Sequence, residues 1–281
     1  MRTRIAPTPS GYLHLGNVLS FAITSVLAAA SAARVMLRID DLDRPRVRKA
    51  YVEDIFATLN YLGMPWSDGP ADYAAYEAAY SQVHRLALYR DALEQLRDAG
   101  KVFACDCSRA QLRRHHPDGC YMGRCRDRGL PLDGEGYCWR MDTEGAALPE
   151  AMQYFVVRKK DGMPAYQLAS LVDDMHFGVD LIVRGEDLLE STAAQLFLAD
   201  VLGYHRFRKA SFVHHRLLTD SSAGKLSKSE GATSVHYLRR SGYTPGDIYR
   251  TLGRMAGLTH PVSSLDDLAP SVPVFILPVS P

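Results

Sequence analysis

The sequence has almost no net charge, few cysteines, no internal repeat and no long apolar run. Its 33 Lys and Arg stand against 32 Asp and Glu, a formal charge of +1. That balance excludes a chain coated uniformly with basic residues for nucleic acid and leaves room only for local basic patches. Five cysteines in 281 residues are too few for a disulfide scaffold. No stretch is apolar enough for a bilayer span. Behind Arg2 and Arg4, the uncharged stretch Ile5 to Ala33 ends in small residues as a signal peptide does, but Pro7, Pro9, Gly11, His14, Gly16 and Asn17 interrupt it. These absences lead us to expect a soluble, cytoplasmic protein, which we read as a monomer.

What is present is ordinary for a globular chain: 47% hydrophobic and 23% charged residues, with length for about two domains. Thr3 to Ala6 reads as a short strand, ended by the two prolines of Pro7-Thr8-Pro9-Ser10-Gly11. Asn17 to Ala33 is free of Gly and Pro and reads as a helix with Asn17 as N-cap; Val35 to Ile39 follows as a buried strand. Strand, loop, helix and strand make a βαβ unit and predict a parallel sheet. Helices are expected at Ala50 to Leu62, His84 to Ala99 and Leu188 to Leu202, and strands at Tyr154 to Val157 and Leu181 to Val183. Ala165 to Val172 is helix or strand. Residues 101–135 read as an irregular insertion, Thr219 to Ala232 as a polar loop and Thr233 to Leu258 as a helical tail. The final stretch, Pro261 to Pro281, holds five of the fifteen prolines and is expected to be partly disordered.

Three motifs carry chemistry. His14-Leu15-Gly16 lies between the first strand and the first helix, where a helix N-terminus offers unpaired N–H groups to an anion. Gly11 and Gly16 permit close approach of backbone, and His14 can donate to a phosphate. Lys225-Leu226-Ser227-Lys228-Ser229, flanked by Gly224 and Gly231, can close two ammonium groups over a polyphosphate. Alone, each would more often be a tight turn or a solvated loop. Four cysteines, Cys105, Cys107, Cys120 and Cys125, fall within 21 positions. Their spacing proposes a four-cysteine zinc site, with His115 and His116 as weaker candidates. Cys138 reads as a lone buried thiol. Arg44, Arg46, Arg48 and Lys49, then Arg109, Arg113, Arg114, Arg124, Arg126 and Arg128, then Arg158, Lys159 and Lys160 form basic clusters that fit a phosphate-backbone footprint.

Together and in this order, H-x-G and K-L-S-K-S resemble the double signature of class I aminoacyl-tRNA synthetases. Arg4 to Gly11, Arg38 to Asp43, Val172 to Asp174 and Ile182 to Leu188 resemble segments of the glutamyl-tRNA synthetase catalytic core, and the likeness runs over roughly residues 2 to 250. About 50 residues follow Ser229, too few for an anticodon-binding region, so the chain is similar to the short glutamyl-Q tRNA(Asp) synthetase family. That resemblance implies an α/β, Rossmann-like catalytic core with a zinc-bearing insertion and a small helical C-terminal region. It implies tRNA-independent activation of L-glutamate by ATP with Mg²⁺, then transfer to the queuosine wobble base of tRNA(Asp).

The implied residues follow motif by motif. His14 and Lys228 are catalytic; His14, Gly16, Asn17, Lys225, Ser227 and Lys228 hold ATP. Arg4, Ile5, Ala6, Pro7, Thr8, Asp40, Tyr166 and Arg184 hold glutamate, an arginine gripping its carboxylate and an acid its ammonium. One structural Zn²⁺ is implied at Cys105, Cys107, Tyr121 and Cys125, with Cys120 as rival to Tyr121. Two positions depart from the family pattern: Asp40 stands where Glu is usual, withdrawing the carboxylate by about 1.5 Å, and Asn17 stands where many relatives in the wider class carry His. The expected domain plan is 1–100 with 165–218 as catalytic core, 101–164 as zinc insertion and 219–281 as the K-L-S-K-S loop and helical tail. The alternatives are a truncated glutamyl-tRNA synthetase charging a tRNA 3′ end, a ligase for another amino acid or carrier, and a non-catalytic tRNA-binding paralogue.

Overall fold

The computed structural model describes residues 1–116, 118–218 and 234–278. In chain order the elements are β1 (Arg2–Ile5), α1 (Leu15–Ala30), β2 (Arg34–Leu37), α2 (Lys49–Tyr61), α3 (Tyr73–Ala75), α4 (Leu86–Asp98), β3 (Val102–Cys105), α5 (Arg109–His115), β4 (Cys138–Met141), β5 (Val156–Arg158), α6 (Tyr166–His176), β6 (Leu181–Gly185), α7 (Leu189–Val201), α8 (His205–Arg208) and β7 (Ser211–His215). After residue 233 come α9 (Val235–Arg240), α10 (Pro245–Met255), α11 (Leu265–Leu268) and α12 (Val272–Phe275). No helix among the described residues is long and apolar enough to cross a membrane.

The chain divides into two compact units. The first comprises 1–84, 179–187 and 211–281; the second comprises 85–178 and 188–210. The second is wider than an insertion at 101–164, because α4, α6, α7 and α8 group with it.

The first unit is built on a parallel sheet of order β2-β1-β6-β7. β1 runs beside β2 with Arg2 opposite Arg34 and Ile5 opposite Leu37, and beside β6 with Thr3 opposite Leu181. The strands are short and mostly buried, as a sheet covered by helices requires, and β2 and β6 are largely apolar. Ile5, Leu37, Leu181 and Val183 share one core with Leu15, Leu19 and Ile23 of α1 and Val52, Ile55 and Leu59 of α2. Both helices repeat apolar residues three to four apart, which gives each a continuous buried face. Just beyond β2, the buried Asp41 pairs with Arg44. It also accepts from Tyr76 Oη at 2.6 Å, Ser81 Oγ at 2.5 Å and the Gln82 N–H at 2.8 Å.

The second unit carries an antiparallel sheet of order β3-β4-β5. Cys105 faces Cys138 and Val102 faces Met141 in the β3–β4 register.

Several expectations need correction. Helix α1 starts at Leu15, not after Asn17. His14 is its N-cap, and Asn17 is the third helical residue, its side-chain oxygen accepting from the His14 N–H at 3.1 Å. The segment 101–135 is not irregular throughout, since it contains β3 and α5. Strand β5 begins at Val156 rather than Tyr154. Tyr154 has a left-handed backbone (φ 51°), held by its N–H to Thr143 Oγ1 at 2.9 Å and by Arg140 Nη1 to its carbonyl at 2.8 Å. Residues 165–172 resolve as helix. Beyond Pro261 the described residues are packed, not loose: Val262, Leu268, Val272 and Phe275 are buried. Pro270 and Pro273 sit in the first turns of short helical segments, where a missing N–H breaks no bond. The loop expected at Thr219 to Ala232 lies outside the described residues.

Candidate active site and metal centre

In the first unit β2 and β6 lie on opposite sides of β1, so the strand order reverses there. Ligands of open parallel sheets bind at that reversal, outside the carboxyl ends of the strands. The chain then places its motif residues at that edge. Arg4, near the end of β1, is buried and donates from Nη1 to the Val183 carbonyl of β6 at 3.1 Å. Arg184 follows on β6 and is 2% exposed. Past β1, the Ile5 carbonyl accepts from the Arg38 N–H and the Pro7 carbonyl from the Asp40 N–H, each at 2.9 Å. Arg4, Ile5, Ala6, Pro7, Thr8, Asp40 and Arg184 thus gather along adjoining strand ends.

His14 is fixed twice. Its backbone N–H binds Asn17, and its ring Nδ1 accepts from the Gly16 N–H at 3.1 Å. An accepting Nδ1 places the neutral ring's proton on Nε2, leaving one donor. Burial lowers the His14 pKa and reinforces the neutral form. Gly16 leaves room for the ring: a Cβ there would lie 3.0 Å from His14 Cε1 and 3.1 Å from Nδ1, close enough that the imidazole would have to shift by a few tenths of an ångström. Gly11 has open space around it, so nothing in the fold demands a glycine there. His14 also forms an isolated antiparallel bridge with Ser234, and the Leu13 carbonyl accepts from the Val235 N–H at 2.8 Å. The residues that follow position 233 therefore start against H-x-G. Lys225, Ser227 and Lys228 themselves lie outside the described residues.

Asp40 does not stand alone. Its Oδ1 accepts from Arg38 Nε at 2.7 Å and its Oδ2 from Arg38 Nη2 at 2.9 Å. This fork fixes the shortened carboxylate and already offsets its charge, so an ammonium bound there would share it with a guanidinium. Tyr166, the remaining expected glutamate contact, opens α6 in the second unit and is 45% exposed.

Sequence reasoning missed β7. Its His214 lies opposite Arg184, and burial, with Arg184 and His215 nearby, lowers its pKa. His215 is lowered chiefly by burial. The available signal was the run Ser211-Phe212-Val213 ending in two histidines. The roles of Asp41 and Asp173 were missed as well. Asp173 is fully buried and accepts from Arg85 Nε at 2.8 Å, Arg85 Nη2 at 2.9 Å and Tyr89 Oη at 2.7 Å.

In the second unit the thiols of Cys105, Cys107 and Cys125 lie within 4.8 Å of one another and are buried. Tyr121 is buried in the same cluster, and its hydroxyl accepts from the Cys125 N–H at 2.6 Å. Arg140 stacks on the Tyr121 ring at 3.8 Å, and Arg128 Nη1 lies 3.3 Å from Cys125 Sγ. Three soft donors and a phenol oxygen fit a tetrahedral thiophilic cation, and the two guanidinium groups nearby offset the negative charge of the thiolates. Cys120 belongs to a different group, with His116 and Glu150. Cys138 is buried but not alone: its Sγ donates to the Cys105 carbonyl at 3.4 Å. Several cations of the basic clusters hold local acids: Arg44 with Asp41, Arg126 with Asp142, Arg128 with Asp106, and Lys159 with Asp161.

A family model described as tRNA synthetases class I (E and Q), catalytic domain, matches residues 1–128 and 135–264. A curated relative named Glutamate--tRNA ligase, from Dehalococcoides mccartyi, is 36% identical over 266 residues, covering 87% of this chain and 54% of that protein. The chain thus spans about half the length of such relatives. Another, named Glutamyl-Q tRNA(Asp) synthetase, from Symbiobacterium thermophilum, is 36% identical over 303 residues, covering 98% of this chain and 91% of that one. The crystal structure of a glutamate tRNA ligase from Elizabethkingia meningosepticum, in complex with its amino acid, shares the fold with a TM-score of 0.72 at 23% identity, covering 96% of this chain and 64% of that one.

Proposed function

The chain belongs to the class I tRNA synthetases of the E and Q kind, and from that premise we propose that it activates glutamate with ATP and transfers it to the queuosine wobble base of tRNA(Asp). The observation that carries the reading is the gathering of Arg4, Asp40, Arg184 and the His14 cap along the carboxyl edge of one parallel sheet. Likeness to proteins named for that reaction over nearly their whole length favours it over charging of a 3′ end.

The chemistry asks little of the protein covalently. A glutamate carboxylate, ionised at neutral pH, attacks the α-phosphorus of ATP; the bond to the bridging oxygen breaks and pyrophosphate leaves. No general base is needed, so the protein's part is positioning and charge. Arg4 or Arg184 grips the side-chain carboxylate of glutamate, and Asp40, held by Arg38, takes the ammonium. The His14 Nε2–H and the α1 N-terminus face the phosphates. Lys225, Ser227 and Lys228 are assigned to the phosphates on the family pattern alone, and Mg²⁺ accompanies ATP as part of the substrate. A hydroxyl of the acceptor base then attacks the acyl carbon, releasing AMP. Cys105, Cys107, Tyr121 and Cys125 would hold one Zn²⁺, which ties β3 to the segment after α5 and takes no step in the reaction.

The test is the site of attachment. Radiolabelled glutamate is incubated with the full chain, ATP and tRNA(Asp), and the product is digested to nucleosides. Label on the queuosine nucleoside supports the reading. Label on the 3′-terminal adenosine makes the chain a short glutamyl-tRNA synthetase, and label on neither sinks both.

A further inference from the structure

Two of the residues that spacing offered for the thiol centre, His116 and Cys120, assemble instead with Glu150, which spacing did not mark. His116 closes the C-terminus of α5, its N–H donating to the Leu112 carbonyl at 2.9 Å. The Gly119 N–H donates back to the His116 carbonyl at 2.9 Å, and Gly119 adopts a left-handed φ of 73°. That reversal, which favours glycine, returns Cys120 to the imidazole. Glu150 arrives from the connection between β4 and β5, in a single 3₁₀ turn (Glu150–Met152) entered through Pro149. One ligand atom from each of His116, Cys120 and Glu150 lies within 4.8 Å of the other two. His116 Nε2 stands 3.0 Å from Glu150 Oε1. Two ligands on one tetrahedral zinc, with bonds near 2.0–2.1 Å, sit about 3.3 Å apart, so this pair is close to one edge of such a site.

We propose that His116, Cys120 and Glu150 form a second, open cation site that takes a thiophilic divalent ion of the zinc class. One imidazole, one thiolate and one carboxylate match the mixed donors zinc accepts; magnesium and calcium prefer oxygen alone. Three protein ligands leave a fourth position for water. The thiol centre has buried ligands, whereas this site has a carboxylate that is 59% exposed. The second ion therefore exchanges faster. It cross-links the end of α5 to the 150–152 turn, two segments that no strand ladder joins.

The experiment counts zinc. The full chain is stripped with chelator, equilibrated with excess zinc chloride and desalted, and zinc per chain is measured by plasma mass spectrometry. Cys120→Ser is compared with a His116→Gln, Glu150→Gln double variant that leaves every cysteine in place. The proposal predicts one ion fewer in both variants than in the parent, whether or not the thiol centre fills. It also predicts that the extra ion is the first lost to a colorimetric chelator. Equal counts in all three proteins overturn the proposal. Loss in Cys120→Ser with none in the double variant also overturns it, and makes Cys120 a ligand of the thiol centre instead.

Discussion

A side chain at Gly16 would crowd the His14 ring, with its Cβ 3.0 Å from Cε1. Gly16→Ala should push the imidazole off its cap. Loss of an N-cap costs about 0.5–2 kcal/mol of stability, while displacement of the ring removes its aim. We expect glutamate-dependent ATP–pyrophosphate exchange to fall at least tenfold with a melting temperature only a few degrees lower; unchanged exchange would mean that the His14 cap does not matter to activation. Asp173→Ala should behave in the opposite way. It removes the carboxylate from Arg85 and Tyr89 in a buried site, a change that typically costs about 3–5 kcal/mol. Urea unfolding should show that loss, and a midpoint near the parent's would refute the role. Arg4, His14, Gly16 and Arg184 were legible in the sequence because motif spacing marks them. Asp41 and Asp173 were not legible as buried anchors because, Arg44 apart, their partners come from residues 35 to 88 positions away.

Elements were legible in proportion to their length and to how little they depend on partners. Helices α1, α2, α4 and α7 announced themselves by apolar spacing, β2 and β6 by short apolar runs, and β1 by a short β-type run stopped at Pro7. Strands β3, β4 and β7 did not. β4 is Cys-Trp-Arg-Met, buried throughout, and its arginine stacks on Tyr121 rather than facing solvent. Strand identity there comes from neighbours, not from pattern. The start of α1 was misplaced by three residues, its cap being His14 and not Asn17, because a histidine cap is uncommon and Asn17 is the more familiar capping residue. β7 carries a pH prediction. His14, His214 and His215 all have lowered pKa values, chiefly from burial. An unfolded histidine takes its proton near pH 6.5, before these three do, so the unfolded chain binds more protons as pH falls through that value. Stability should decline from about pH 7 toward 5 and flatten once the folded histidines also titrate. Urea midpoints at pH 7.5 and 5.5 check the sign; a higher midpoint at 5.5 would contradict it. In the second unit, chelation should expose the β3–β4 edge to protease, and Cys125→Ser should mimic it. Protease resistance unaffected by chelation would leave the thiol centre without a structural role.

At the scale of the whole molecule, the motif order identified a family before any coordinates, and the family match spans most of the chain. The division into units was less legible. Three long helices flanking the cysteine-bearing segment group with it, and only packing reveals that. The tail was misread because five prolines look like disorder in one dimension. In three dimensions Phe275 and Leu277 pair with the end of β7, the Arg216 N–H donating to the Phe275 carbonyl at 2.9 Å and the Leu277 N–H to the His214 carbonyl at 2.8 Å. The Asp40–Arg38 fork bears on substrate choice for the whole site. A carboxylate one methylene shorter still meets an ammonium if the backbone bond from Asp40 to Pro7 holds its position. ATP–pyrophosphate exchange across a panel of amino acids, without tRNA, tests this most directly. Exchange with glutamate, abolished by Arg184→Ala and retained in the absence of any tRNA, is the predicted result. Exchange with another amino acid, or only after tRNA is added, would contradict it.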